Sequence, residues 1–255
     1  MQEPSALGRI VQLVRDLRRR CPWDAAQTPA TLRPYLVEEV LELDHAIGEG
    51  DPSAVRDELG DLLLHLAFQI VLGEETGAFG TEDVTRAIEQ KMHRRHPHLF
   101  DLGNQPVSWE RSKLADGERA GVLDGLPPTL PALIMAVRLQ ERAAGVGFDW
   151  PDAAGPRGKV REELNELEAE IDAPAPSRAR VAAEVGDLLF AVVNLSRKLG
   201  CDPRAALEQA NRRFQDRFKQ VEALAAERGI DVGTAGLEQL DRLWEEAKTA
   251  VRGEK

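Results

Sequence analysis

Apolar residues recur every three or four positions along most of the chain, and no stretch alternates with the period of two that a strand requires. Leu7, Ile10, Val11, Val14 and Leu17 form one stripe over residues 5–20, with Ser5 placed to cap it. CPWDAAQTP (21–29), broken by two prolines, reads as a loop. The pattern predicts a second helix from about Thr31 to Ile47, with Pro34 in its first turn or at its start, ended by Gly48 and Gly50. Asp51-Pro52 is a start signal, Asp as cap and Pro at the first helical position, for a third helix that Gly77 stops. Thr81 opens a fourth helix to about Arg95. Beyond a polar segment, 101–122, and a turn-rich connector, Gly121–Pro131, helices are predicted over 131–144, Gly158–Ile171, Ser177–Gly200, from Asp202-Pro203 to Arg228, and over 236–251. The fold class expected is all-α.

Two of these helices carry carboxylates at a spacing that is used twice. In KVREELNELEAEIDAPAPSRARVAAEVGDLL, Glu162, Glu163 and Glu166 precede a short APAPS turn, and Glu184 and Asp187 follow it. Positions 38–61 repeat the pattern: Glu38, Glu39 and Glu42, then Glu58 and Asp61. The continuations match too, DLLLHLAF with DLLFAVVN, and DVTRAIEQKMHRR with DPRAALEQANRR. A repeat of this length indicates an internal duplication. The expectation is two tandem related helical-bundle domains, 1–120 and 121–255. Residues three and four apart share a helix face, so each antiparallel pair would gather four carboxylates. An isolated EExxE is ordinarily a solvated face. Recurrence, and the placing of Glu58–Asp61 and Glu184–Asp187 at the head of apolar runs, favour cation sites instead. Oxygen-only ligands suit hard cations, Mg²⁺ first where a phosphate shares the site, with Mn²⁺ as the second candidate.

Composition narrows the partners. At 255 residues the chain can bury the cores of two domains, and 30% charged with 5% aromatic residues suits helical packing. A net charge of −11 argues against binding a nucleic-acid polymer but not against a nucleotide, since cations can sit between carboxylates and phosphates. Cys21 and Cys201 lie far apart and form no disulfide framework, so a reducing cytoplasm is expected and both are read as structural or incidental. The longest apolar-rich run, Leu62–Leu72, is interrupted by His65 and Gln69 and is too short to span a bilayer. His93, His96 and His98 read as a loop of solvated imidazoles rather than a transition-metal site, and Trp23 and Trp150 as packing anchors. A di-iron bundle would need Glu-x-x-His pairs, which neither acidic set has.

The chain resembles the MazG nucleoside triphosphate pyrophosphohydrolases, of the all-α NTP pyrophosphohydrolase superfamily. The likeness rests on CPWDAAQT, both EExxE…ExxD sets, RRHPHLF, LPALIMAVRLQERAAGVGFDW, KVREELNEL, EVGDLLFAVVNLSRKL, ANRRFQDRF and LWEEAK, and covers nearly the whole chain. It implies Mg²⁺-dependent cleavage of NTPs and dNTPs between the α- and β-phosphates, giving a monophosphate and pyrophosphate, and a homodimer whose protomers pack helices together. It implies Glu163, Glu166, Glu184 and Asp187 as metal ligands, with Glu39, Glu42, Glu58 and Asp61 as their first-half equivalents. Lys159, Glu162, Asp187, Arg180, Arg213, Arg217 and Trp244 look like nucleotide contacts, with Trp244 able to stack on a base or ribose. The expected role is broad-specificity cleaning of the nucleotide pool. The rival readings are a narrow-specificity dNTP pyrophosphatase and a non-catalytic nucleotide-binding regulator.

Aligning the two acidic sets separates the halves. Lys159 corresponds to Tyr35, Arg180 to Ala54, Arg213 to Arg94 and Arg217 to His98. The first half therefore keeps the carboxylates and one of those cations, and the second half is expected to carry the main activity. Arg33 and Lys91 are the cations from which a first-half site would otherwise draw.

Overall fold

The structure is a computed structural model and describes residues 5–96, 98–100 and 121–253. These residues are helical or irregular, with no strand among them, as the periodicity implies. The chain divides into two compact units, Met1–Val107 and Ser108–Lys255. The division falls in 101–120, outside the described residues, so the polar segment read from the sequence has no structural account. No helix among the described residues is long and apolar enough to cross a membrane.

In the first unit α1 spans Ala6–Arg20, and Ser5 Oγ accepts from Gly8 N at 3.1 Å. The stretch predicted as a loop contains one helical turn, α2 (Pro22–Ala25), which Arg18 fastens down. That guanidinium donates to the carbonyls of Asp24 (2.7 Å) and Gln27 (3.1 Å) and grips Glu75 through two nitrogens. α3 spans Pro29–Glu49 and begins earlier than the sequence implied. Thr28 and Thr31 form a reciprocal capping box, at 3.2 and 2.9 Å, that starts the helix ahead of Pro34. Pro34 is thus carried inside the helix, and so is Gly48. Gly50, at φ +73°, ends it in a left-handed conformation that a side chain would strain. Asp51 accepts from Ser53 N at 2.9 Å and opens α4, Pro52–Glu75, so α3 and α4 are joined by a tight turn and pack as an antiparallel hairpin. The core lies between α1, α3 and α4: Val11, Val14, Leu32, Ala67, Phe68 and Val71.

α5 spans Thr81–Arg95. His93 therefore belongs to a helix rather than to the expected loop, and it packs on Phe100 with ring centroids 4.1 Å apart. His96 Nδ1 lies 3.0 Å from the Met92 carbonyl. The three histidines enter no cluster of metal donors among the described residues.

In the second unit α6 (Ala132–Gly145) precedes a Gly- and Pro-rich loop, then α7 (Ala154–Ile171) and α8 (Arg178–Lys198). α7 starts ahead of the predicted Gly158, because Pro156 falls in the first turn, where its missing N–H is not needed. Ser177 holds the N-cap position of α8 without a side-chain capping bond. α9 (Pro203–Glu227) is capped by Asp202 and folds against α10 (Leu237–Gly253) around Val221, Ala225, Leu243 and Ala247. Trp150 lies against Gly155, where a methyl would sit 2.2 Å from its ring, and is otherwise 43% exposed. Trp23 meets Tyr35 edge-on at 6.3 Å.

Asp149, beside that tryptophan, ties the loop to the end of α8. Arg197 and Lys198 both bond to it, and they hold its carboxyl down to about 2, Arg197 contributing most. A depressed carboxyl stabilises the fold above its ordinary range, and that contribution is lost as pH falls towards about 2. Asp149→Asn is therefore expected to lower stability at pH 7 by about 1–3 kcal/mol in urea unfolding, with the difference from wild type vanishing near the bottom of that window. Leu32→Ala, at a core position 1% exposed, is expected to cost about 2–5 kcal/mol in the same assay.

Candidate metal and nucleotide site

Each acidic set is displayed on a helical hairpin. In the second unit Glu163 and Glu166 stand one turn apart on α7, and Glu184 stands near the start of α8. One carboxylate oxygen from each lies within 4.8 Å of the other two. Glu163 is buried, Glu184 half-buried and Glu166 exposed, so the group has a closed side and an open side. In the first unit Glu39 on α3 meets Glu58 and Asp61 on α4 within the same 4.8 Å. Of the eight carboxylates predicted as ligands, six converge in this way. Glu42 and Asp187 stand outside the two triads yet act on them electrostatically.

That crowding raises one carboxyl in each set. Burial pushes the Glu184 carboxyl above its ordinary value, and Glu166, Asp187, Glu163 and Glu170 push it further. Glu39 is raised in the same way, by burial first and Asp61 next, with His65 opposing. Like charges held this close favour either a shared proton or a cation. The donors are all oxygen, and a carboxylate triad with an open side fits a hard divalent ion that keeps room for a phosphate oxygen.

The cations differ between the units. Lys159 Nζ lies 2.9 Å from Glu162 Oε1 and 2.6 Å from Glu163 Oε1, and these two carboxylates, Glu162 first, hold the lysine well above its ordinary range. Glu162 is exposed and its partner is this lysine. Arg180 pairs with Glu170 at 2.6 Å rather than with a predicted ligand. On α9, Arg217 lies over the Trp244 ring, 4.8 Å from its centroid, and Phe214 flanks that ring at 5.2 Å. Arg213 is exposed one turn before Arg217. Among the described residues no hydrogen bond or ion pair joins Arg213, Arg217 or Trp244 to the carboxylates. The nucleotide contacts implied by resemblance thus form two constellations, Lys159 with Glu162 and Glu163, and Arg217 with Trp244.

Sequence reasoning passed over His65. Its Nε2 lies 3.6 Å from Glu39 Oε1, and its ring stacks on Tyr35 with centroids 6.4 Å apart. The signal was its position: an imidazole inside an apolar run, one helical turn after Asp61 and so on the same face.

Comparison with known proteins places this arrangement among relatives. The family model for the MazG nucleotide pyrophosphohydrolase domain matches residues 27–100. The chain is 39% identical to a nucleoside triphosphate pyrophosphohydrolase of Escherichia coli, over 97% of this chain and 98% of that one. It is 41% identical to the nucleoside triphosphate pyrophosphohydrolase/pyrophosphatase MazG of Thermotoga maritima, over 94% of both. A longer Bacillus subtilis protein, YabN, shares 41% identity over 94% of this chain and 51% of its own length.

A carboxylate raised by its neighbours opposes folding while it is ionised. Glu184→Gln is accordingly expected to raise the melting temperature of metal-free protein at neutral pH and to reduce the further rise that Mg²⁺ produces in wild type. Calorimetry with and without Mg²⁺ checks both signs.

Proposed function

This chain belongs to the MazG family, and from that premise we propose that it hydrolyses nucleoside triphosphates at the α–β bond. Water provides the oxygen that ends on the monophosphate, the bridging P–O bond breaks, and pyrophosphate leaves. The observation that carries this reading is the convergence of Glu163, Glu166 and Glu184 within 4.8 Å on one hairpin, with Lys159 bound to Glu163 at its edge. These three carboxylates, with Asp187 beside them, would hold Mg²⁺ or Mn²⁺. A divalent ion held by them would supply Lewis-acid polarisation of phosphate oxygens.

The chain's own cations do the rest. Lys159 offsets part of the carboxylate charge and presents an ammonium at the mouth of the triad. Arg180, Arg213 and Arg217 are assigned to the polyphosphate, where they favour departure of pyrophosphate. Trp244, already faced by Arg217, is assigned to stacking on the base. Stacking accepts any base, which supports the broad-specificity reading. The first acidic set has Tyr35 and Ala54 where the second has Lys159 and Arg180, so the second half is assigned the main activity. The same reading takes the chain as two related domains, 1–120 and 121–255, in a cytoplasmic enzyme.

It also includes a homodimer. Leu164, Val185, Leu189 and Phe190 are exposed on the acidic hairpin of the second unit, and Val37 and Leu41 on that of the first. Apolar residues displayed on both hairpins are the kind of surface a second copy would cover. Leu189→Glu is expected to shift the sedimenting species towards monomer.

The deciding experiment incubates the protein with a panel of NTPs and dNTPs and Mg²⁺ and identifies products by chromatography. The expected products are monophosphate and pyrophosphate. Glu163→Ala is expected to lower turnover by on the order of 10²- to 10³-fold, and Glu39→Ala to leave most of it. Diphosphate plus phosphate would overturn the bond assignment, turnover of a single nucleotide would favour the narrow-specificity enzyme, and binding without turnover would favour the regulator.

A further inference from the structure

Glu39 and Glu163 hold the same place in their two acidic sets, but different groups face them. One turn before Glu163 on the same helix is Lys159, with Nζ 2.6 Å from Oε1. One turn before Glu39 is Tyr35, a phenol where the second set has an amine. The group facing Glu39 comes instead from the next helix, where His65 Nε2 stands 3.6 Å from Oε1. Tyr35 lies along that imidazole, with an interplanar angle of 22°. The second-unit position matching His65 is Ala191. Two positions thus differ together, lysine with alanine in one unit and tyrosine with histidine in the other.

The surroundings of the two ring nitrogens decide its role. The His65 side chain is 12% exposed, and its Nδ1 is enclosed without a hydrogen-bond partner. Coordination of a cation through Nε2 would put the ring proton on Nδ1, leaving a buried N–H donor without an acceptor. Histidine ligands ordinarily spend that second N–H on a carboxylate or carbonyl. With the proton on Nε2, the N–H faces Glu39 and Nδ1 is left as a bare acceptor.

We propose that His65 is a positioning residue of the first-half site: its Nε2–H orients Glu39 for a divalent cation held with Glu58 and Asp61, in the place that Lys159 takes toward Glu163. The first-half triad has no counterpart of the lysine that stands at the edge of the second. The inference rests on the reading of the acidic sets as metal sites.

The test reads metal binding, not turnover. In full-length protein carrying Glu163→Gln and Glu184→Gln, which disables the second set, Mn²⁺ affinity is measured by electron paramagnetic resonance of the free ion. Adding His65→Ala is expected to weaken binding by about 10- to 100-fold, and His65→Gln, which retains an amide N–H donor, to recover most of it. Unchanged Mn²⁺ affinity in His65→Ala overturns the inference, even if that variant melts lower without metal, because such a histidine only packs. His65→Gln binding as weakly as His65→Ala overturns it as well. Glu39→Gln separates the two levels. If it abolishes binding while His65→Ala leaves binding intact, the inference fails alone. A parent protein that binds no Mn²⁺ overturns the metal-site reading beneath it too.

Discussion

Carboxylates gathered within 4.8 Å of one another repel, and a fold that gathers them twice must contain something that makes the repulsion tolerable. Around Glu163 the answer visible in the chain is partial. Lys159 offsets one carboxylate, while Glu184 is left raised above its ordinary range by burial and by four acidic neighbours. The rest of the second unit can be understood as the frame that holds this unfavourable group in place. α7 and α8 run as a hairpin, Asp149 clamps the end of α8 through Arg197 and Lys198, and the α9–α10 pair supplies a dry core of its own. Rigidity of this kind matters because a triad free to spread would relieve its repulsion by separating.

The first unit solves the same problem with other residues. Its hairpin joins a core shared with α1, and its outer connections are fastened by bidentate arginine pairs, Arg15 with Glu74 and Arg18 with Glu75. Its acidic set faces an imidazole instead of an ammonium. One sequence pattern, used twice, therefore supports two electrostatic settings. The difference comes from only a few side chains around carboxylates at matching positions.

Much of this is legible in the sequence. Helical periodicity, the Asp-Pro starts and the glycine stops located the helices, because each is a local rule about backbone hydrogen bonds and φ. Boundaries slipped where a cap outranked a proline: the Thr28–Thr31 box begins α3 ahead of Pro34, and Pro156 enters the first turn of α7. The i, i+3 carboxylate spacing identified the triads, since three of four ligands per set converge as a helix pair requires. What spacing could not give was partnership across helices. Nothing local joins Arg180 to Glu170, Arg217 to Trp244, or His65 to Glu39 and Tyr35. Those depend on how two faces meet, which is settled by packing and not by period.

The central claim is that these triads are cation sites, and anomalous diffraction from crystals grown with Mn²⁺ tests it most directly. The account predicts an anomalous peak enclosed by the oxygens of Glu163, Glu166 and Glu184, bonded to at least two of them. Well-ordered carboxylates at that place without a peak, at Mn²⁺ concentrations that saturate activity, would contradict it.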